Sequence, residues 1–251
     1  MNLLAASNLS KSFGGVTAVD DLAFEIEQGT IFGIIGPNGA GKTSLFNILT
    51  GFLRADRGAV RFRERDVLGL KPYQLVELGM ARSFQLVKPF FGMTALETVL
   101  LPAWSPRMRR RQVPSEEIER RATDLLARFG LHDRDNALVD DLNQSELRLL
   151  DIARALATEP DIVYLDEPFS GLSLDQIALV SGILQDMRES GTTVLIIEHR
   201  MRELMQLVDR VMVISFGSKL AEGTPAEIVD NPRVIEAYLG TRGLELAASQ
   251  G

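Results

Sequence analysis

The 251-residue sequence predicts an α/β fold: a doubly wound core with a mostly parallel sheet, a small antiparallel β subdomain and an inserted helical subdomain. Three observations carry this. Short apolar runs recur between helix-period segments. The runs lack the polar alternation of a half-exposed strand, so they read as strands buried on both faces. A glycine-rich turn joins one of them directly to a helix, as open parallel sheets require at a ligand-binding edge.

Taken along the chain, the first thirty residues and RGAVRFR at 57–63 read as strands of the antiparallel subdomain. TIFGIIG at 30–36 is the first core strand, and KTSLFNILTG is the helix that follows, closing on Gly51. Residues 86–145 are mostly helical, with breaks at Pro89, Pro102, Pro106 and Pro114; they form the helical insertion in a single domain spanning 1–251. SELRLLDIARALATEP is a helix stopped at Pro160, DIVYLDE at 161–167 a strand, and LDQIALVSGILQDMRESG a helix ending at Gly191. TTVLIIE at 192–198 and RVMVISF at 210–216 complete the core strands.

Composition excludes several classes. A net charge of -7 argues against a dominant nucleic-acid surface, and the one basic cluster, RMRRR at 107–111, reads as a solvated loop from which no partner follows. Cysteine is absent, which removes disulfides and thiolate metal sites. No apolar stretch is long enough for a membrane span, and the start lacks a basic region followed by an apolar one, so the chain is expected to stay in the cytoplasm.

Three motifs carry chemistry. GPNGAGKT, Gly36 to Thr43, fits G-x-x-x-x-G-K-[ST] after a strand and before a helix. Gly36, Pro37, Asn38, Gly39, Ala40, Gly41 and Ser44 supply the backbone cradle for phosphates. Lys42 reaches the β and γ phosphates, and the Thr43 hydroxyl is a ligand for Mg²⁺. The run IVYLDEP brings Asp166 and Glu167 to a strand's carboxyl edge, Asp166 for the Mg²⁺ shell and Glu167 to orient and deprotonate water. In IIEHR, His199 follows another apolar strand and is placed to sense a γ-phosphate; His132 has no such context and is assigned to the surface.

These motifs, in this order, resemble the nucleotide-binding subunits of ABC transporters, P-loop NTPases that bind ATP and Mg²⁺, and the resemblance covers essentially the whole chain. It implies that Phe13 in KSFGG stacks on adenine and that Gln85 in RSFQLVKPF contacts Mg²⁺ and water and links to the membrane subunit. In the segment SGLS, Ser173 stands where the family usually has Asp or Asn. FGGVTAVDDLAFEIEQG, GKTSLFNILTGFLRADRGAVRF, ARSFQLVKPFFGMTALETVLL and GTPAEIVDNPRVIEAYLG together look like the ATPases of branched-chain amino-acid importers, with urea and amide importers similar. The resemblance implies permease subunits, a second ATP-binding subunit, indirectly a solute-binding protein, and a peripheral position on the cytoplasmic face of the membrane.

One segment departs from the family. Where it writes LSGGQ, this chain has LNQSE: Asn143, Gln144, Ser145 and Glu146, with Leu147 following. Read from residues alone, Asn143 is a helix N-cap with Glu146 reaching back. Read by resemblance, the segment closes over the γ-phosphate held by a partner subunit. Losing one transition-state donor there would cost about 3 kcal/mol. Three readings stay open: an importer ATPase paired with a different ATPase, a homodimeric ATPase, and a nucleotide-gated regulatory module with little turnover.

Overall fold

The structure, a computed structural model, describes residues 1–83, 90 and 92–238. In chain order these form β1 (Asn2–Phe13), β2 (Val16–Glu27), β3 (Ile31–Ile35), α1 (Lys42–Leu49), β4 (Arg57–Phe62), β5 (Arg65–Asp66), α2 (Pro72–Leu78), β6 (Met80–Arg82) and α3 (Ala95–Leu100). After them come α4 (Pro106–Arg109), α5 (Ser115–Arg128), α6 (Gln144–Leu156), β7 (Ile162–Asp166), α7 (Leu174–Glu189), β8 (Thr193–Ile197), α8 (Met201–Leu207), β9 (Arg210–Ser215), β10 (Ser218–Gly223) and α9 (Pro225–Val229). The chain divides into two compact units, 1–71 with 197–251, and 72–196.

In the first unit, β1 lies between β2 and β4, antiparallel to both, and β5 extends the edge beside β4. Their inner faces bury Leu4, Leu9, Leu22, Phe24, Ile26 and Val60, the alternation of a sheet with one wet face. The unit also holds β3, parallel to β9, with β10 antiparallel on the far side of β9. Every residue of β3 is buried, which explains its unbroken apolar run. Gly33 lies within β3 because an added Cβ would meet Val208 at 3.2 Å, beside Leu204 of α8.

In the second unit, β7 is flanked by β6, to which it is parallel, and by β8. All five residues of β7 and of β8 are buried. Prolines in the helical region act as starts as well as breaks: Pro106 is the first residue of α4 behind the cap Ser105, and Pro114 precedes α5. α3, α6 and α7 each open with a reciprocal capping box, Thr94 with Glu97, Asn143 with Glu146 and Ser173 with Gln176. Gly51 and Gly191 adopt positive φ just past α1 and α7, as helix-terminating glycines do.

One expectation is corrected. The basic run at 107–111 begins within α4 rather than in a loop; Arg109, Arg110 and Arg111 are exposed, and three of the four arginines pair within the second unit. Arg107 donates to the Glu159 carbonyl at 3.1 Å and to Asp161 at 3.2 Å, Arg110 pairs with Glu77 at 2.8 Å, and Arg111 pairs with Glu159. The sequence shows the charge density of the run, but not the acids brought to it from 33 to 54 residues away.

Candidate functional site

The phosphate loop is held in the first unit by close backbone packing. An added Cβ at Gly36 would stand 2.2 Å from the Ile214 carbonyl oxygen at the end of β9. At Gly41, where φ is 100°, it would stand 2.0 Å from the Ala18 carbonyl of β2. Both positions therefore demand glycine. The Ala40 carbonyl accepts the Gly217 N–H at 3.0 Å from the β9–β10 turn, so the loop is fixed from both sides. Lys42 is buried, and its Nζ donates to the carbonyls of Gly36 at 2.7 Å and Pro37 at 3.0 Å. The ammonium thus sits inside the loop curl, while Asn38, Gly39 and Thr43 are exposed at the mouth. A buried ammonium beside a helix N-terminus forms an anion cradle.

His199 follows β8 and its residue is exposed. The neighbouring Glu198 is only 2% exposed, and its carboxylate accepts the backbone N–H groups of His199 at 2.9 Å and Arg200 at 3.2 Å. Glu198 therefore fixes the turn that presents the imidazole, a role the sequence reading did not assign. The residue IIEHR offers as a strand end is a buried carboxyl group that caps a turn. Phe13 ends β1 with 49% of its surface exposed, as a ring available for stacking must be. The Lys11 ammonium lies 5.5 Å from the ring centre and is held there by Asp56 at 2.7 Å.

In the second unit, Asp166 ends β7 and is 3% exposed. Burial pushes its carboxyl above the ordinary value, and the nearby Arg82 guanidinium opposes that shift. Arg82 ends β6 beside β7 and donates from Nη2 to Asp166 Oδ2 at 3.3 Å. Glu167 follows with φ 49°, a left-handed conformation that costs a non-glycine residue about 1 kcal/mol or more. Its carbonyl accepts the Ser170 N–H at 3.1 Å, closing the turn that holds this geometry. Glu167 is partly exposed, whereas Asp166 is buried.

The LNQSE segment is the N-terminus of α6. Asn143 Oδ1 accepts the Glu146 N–H at 3.0 Å and the Ser145 hydroxyl at 2.7 Å, while Glu146 accepts the Asn143 N–H at 2.9 Å. The capping arrangement read from the residues is the one observed. Ser145 also accepts from Gln176 Nε2 of α7 at 3.4 Å, a link no local pattern announces. Ser173 caps α7, so the departure from Asp or Asn keeps the capping function these residue types share. Gln85 lies outside the described residues. His132 is exposed beside Asp133.

Taken singly, Thr43 offers an exposed hydroxyl on the first turn of α1 and Asp166 a buried carboxylate at the end of β7, each a hard oxygen of the type Mg²⁺ prefers. Among the described residues no cluster of three or more His, Cys, Asp or Glu side chains forms an all-protein cage. No helix among the described residues is long and apolar enough to cross a membrane.

Comparison with known proteins bears on this geometry. The ABC transporter family pattern matches residues 19–170, and the pattern of the branched-chain amino acid ATP-binding cassette transporter C-terminal segment matches 218–243. The chain is 40% identical to the high-affinity branched-chain amino acid transport ATP-binding protein LivG of Salmonella typhimurium, over 95% of this chain and 98% of that one. It is 36% identical to the corresponding protein BraF of Pseudomonas aeruginosa, again over 95% and 98%. Among solved structures, a nucleotide-free ATP-binding cassette from an ABC transporter superposes with a TM-score of 0.84 at 31% identity, covering 95% of this chain and 99% of that one. The ADP conformation of such a cassette gives 0.83 at 32%, covering 96% and 99%. With glycines where the loop leaves no room for a Cβ and a lysine buried in its curl, this chain belongs to the ATP-binding cassettes of the ABC transporter family.

Proposed function

We propose that the chain is the ATP-hydrolysing subunit of an importer for branched-chain amino acids or a related amide or urea solute, attached to permease subunits at the cytoplasmic face of the membrane. The observation that carries the nucleotide part is Lys42, buried in the loop with its ammonium on the Gly36 and Pro37 carbonyls, where a phosphate would replace them. The solute class rests on the LivG and BraF relatives and on the matched C-terminal segment.

In this reading the residues 36–44 bind the ATP phosphates, and Phe13 stacks on adenine. Thr43, Asp166 and Gln85 hold Mg²⁺, which when bound neutralises charge on the β and γ phosphates. Glu167 orients the attacking water and accepts its proton. His199 donates to the γ-phosphate. Hydrolysis by the purified chain in the presence of its permease and partner ATPase, abolished by Glu167→Gln, tests the assignment; turnover surviving that change would overturn it.

The LNQSE geometry favours an arrangement with a second, different ATP-binding subunit. In the family the segment closes over ATP held by the partner. Here the Ser145 hydroxyl already donates to Asn143, and both Gln144 and Ser145 carry a Cβ where glycine permits close approach. Such a heterodimer would place a competent site under the partner's segment and a weaker one under LNQSE.

A further inference from the structure

The second unit buries more charge than its fold needs. Asp151, Arg148 and Asp166 are each under 10% exposed, with the side chains of Arg82 and Arg154 little more so. Burying ion pairs seldom stabilises a protein over apolar packing, because desolvation offsets the attraction. What such a cluster supplies is orientation.

Its layout is specific. Arg82 takes Asp166 Oδ2 at 3.3 Å, which leaves the other carboxylate oxygen for a metal. The guanidinium is lowered in basicity by burial and supported in turn by Asp166 and by Asp151 of α6. Asp151 is bound by Arg154, whose guanidinium lies 5.0 Å from the centre of the Phe90 ring. Arg148, also on α6, adds to the positive field at Asp166. The cluster therefore runs from the end of β7, through the end of β6, to the helix that begins with LNQSE. It also reaches Phe90 through Arg154.

We propose that Arg82, backed by the Asp151–Arg154 pair, is a positioning residue for ATP hydrolysis that fixes the Asp166 carboxylate for its metal and ties it to α6. The inference rests on the reading of Asp166 as a metal ligand. Arg82 touches neither nucleotide nor water in this role; it acts through Asp166.

The test measures Mn²⁺ affinity in the presence of ADP by electron paramagnetic resonance, alongside metal-free ADP affinity as a check of folding and the rate of ATP hydrolysis. Asp166→Asn is the reference: if it leaves Mn²⁺ affinity unchanged, the metal reading of Asp166 fails. Given a loss there, Arg82→Met is expected to weaken Mn²⁺ binding tenfold or more with metal-free ADP binding intact. Arg82→Lys, which keeps the charge but not the planar fork, should recover part of it. Mn²⁺ affinity within twofold of the parent in Arg82→Met overturns the inference. Should that variant fail to fold, Arg82→Lys and Asp151→Asn decide in its place, several-fold weaker Mn²⁺ binding in both supporting the inference and parental affinity in both overturning it.

Discussion

Gln176 joins two helix starts: its side-chain oxygen accepts the Ser173 N–H at 3.0 Å, and its Nε2 donates to the Ser145 hydroxyl at 3.4 Å. The first contact completes the cap of α7, and the second reaches the N-terminus of α6. One side chain therefore ties the SGLS turn to the LNQSE segment.

Removing it separates the two contributions. Gln176→Ala loses half a capping box and the bridge, which costs about 1 kcal/mol and lowers Tm by about 3 °C in a chain of this size. Gln176→Glu keeps the acceptor for Ser173 and adds a favourable charge in the first turn, but has no donor for Ser145. Its Tm is expected to stay within about 1 °C of the parent. Thermal unfolding followed by circular dichroism orders the three proteins; equal losses in both variants would show that the bridge, not the cap, carries the stability.

The glycines of the phosphate loop are not equivalent. Gly36→Ala and Gly41→Ala each drive a Cβ to about 2 Å from a backbone carbonyl, and neither Ile214 nor Ala18 can retreat without distorting its strand. Both variants should lose ADP binding altogether or fail to fold. Gly39, with φ 78°, has nothing within 4 Å of an added Cβ. Gly39→Ala then meets only the backbone penalty, about 1–2 kcal/mol, and should stay folded with measurable ADP affinity. Calorimetric titration with ADP distinguishes these cases; equal tolerance at 36, 39 and 41 would contradict the packing.

Much of this was legible in the sequence because the signals are local. The runs read as strands at 30–36, 161–167, 192–198 and 210–216 correspond to β3, β7, β8 and β9, each shorter by one residue at one or both ends, since full burial leaves a continuous apolar signature. The Asn143–Glu146 cap was legible because its partners lie three residues apart. β6 was not, because three residues give no period, and β10 was not, because its half-exposed SKLAEG lacks an apolar run. The same limit hides the Arg82–Asp166 contact, whose partners are 84 residues apart. The role of Glu198 was missed because the sequence places it at the end of the strand TTVLIIE and gives no sign that its carboxylate caps the following turn.

Lys42 supplies the cleanest test of nucleotide binding. With two carbonyl partners inside the loop, Lys42→Met leaves those acceptors buried without their charged donor and removes the point charge for the phosphates. A charge-assisted contact of this kind is worth about 1.5–3 kcal/mol, so ADP affinity should fall roughly tenfold to a hundredfold. Titration with ADP at fixed salt reads the change, and affinity within twofold of the parent would rule out the phosphate role.

The proposed base, Glu167, gives a way to isolate the LNQSE segment. A sandwich of two cassettes needs donors over the γ-phosphate, and here the Ser145 hydroxyl proton is committed to Asn143 Oδ1 in the cap of α6, while Gln144 and Ser145 each carry a Cβ. Glu167→Gln protein with Mg-ATP is therefore expected to remain monomeric by light scattering and to associate only when a second ATP-binding subunit is added. Adding Gln144→Gly and Ser145→Gly removes both Cβ atoms at a helix-propensity cost of about 1 kcal/mol per glycine, and should allow ATP-dependent self-association. If Glu167→Gln alone already dimerises with ATP, LNQSE closes unaided and a homodimer replaces the heterodimer. If neither protein self-associates, the Cβ atoms are not what holds the two copies apart.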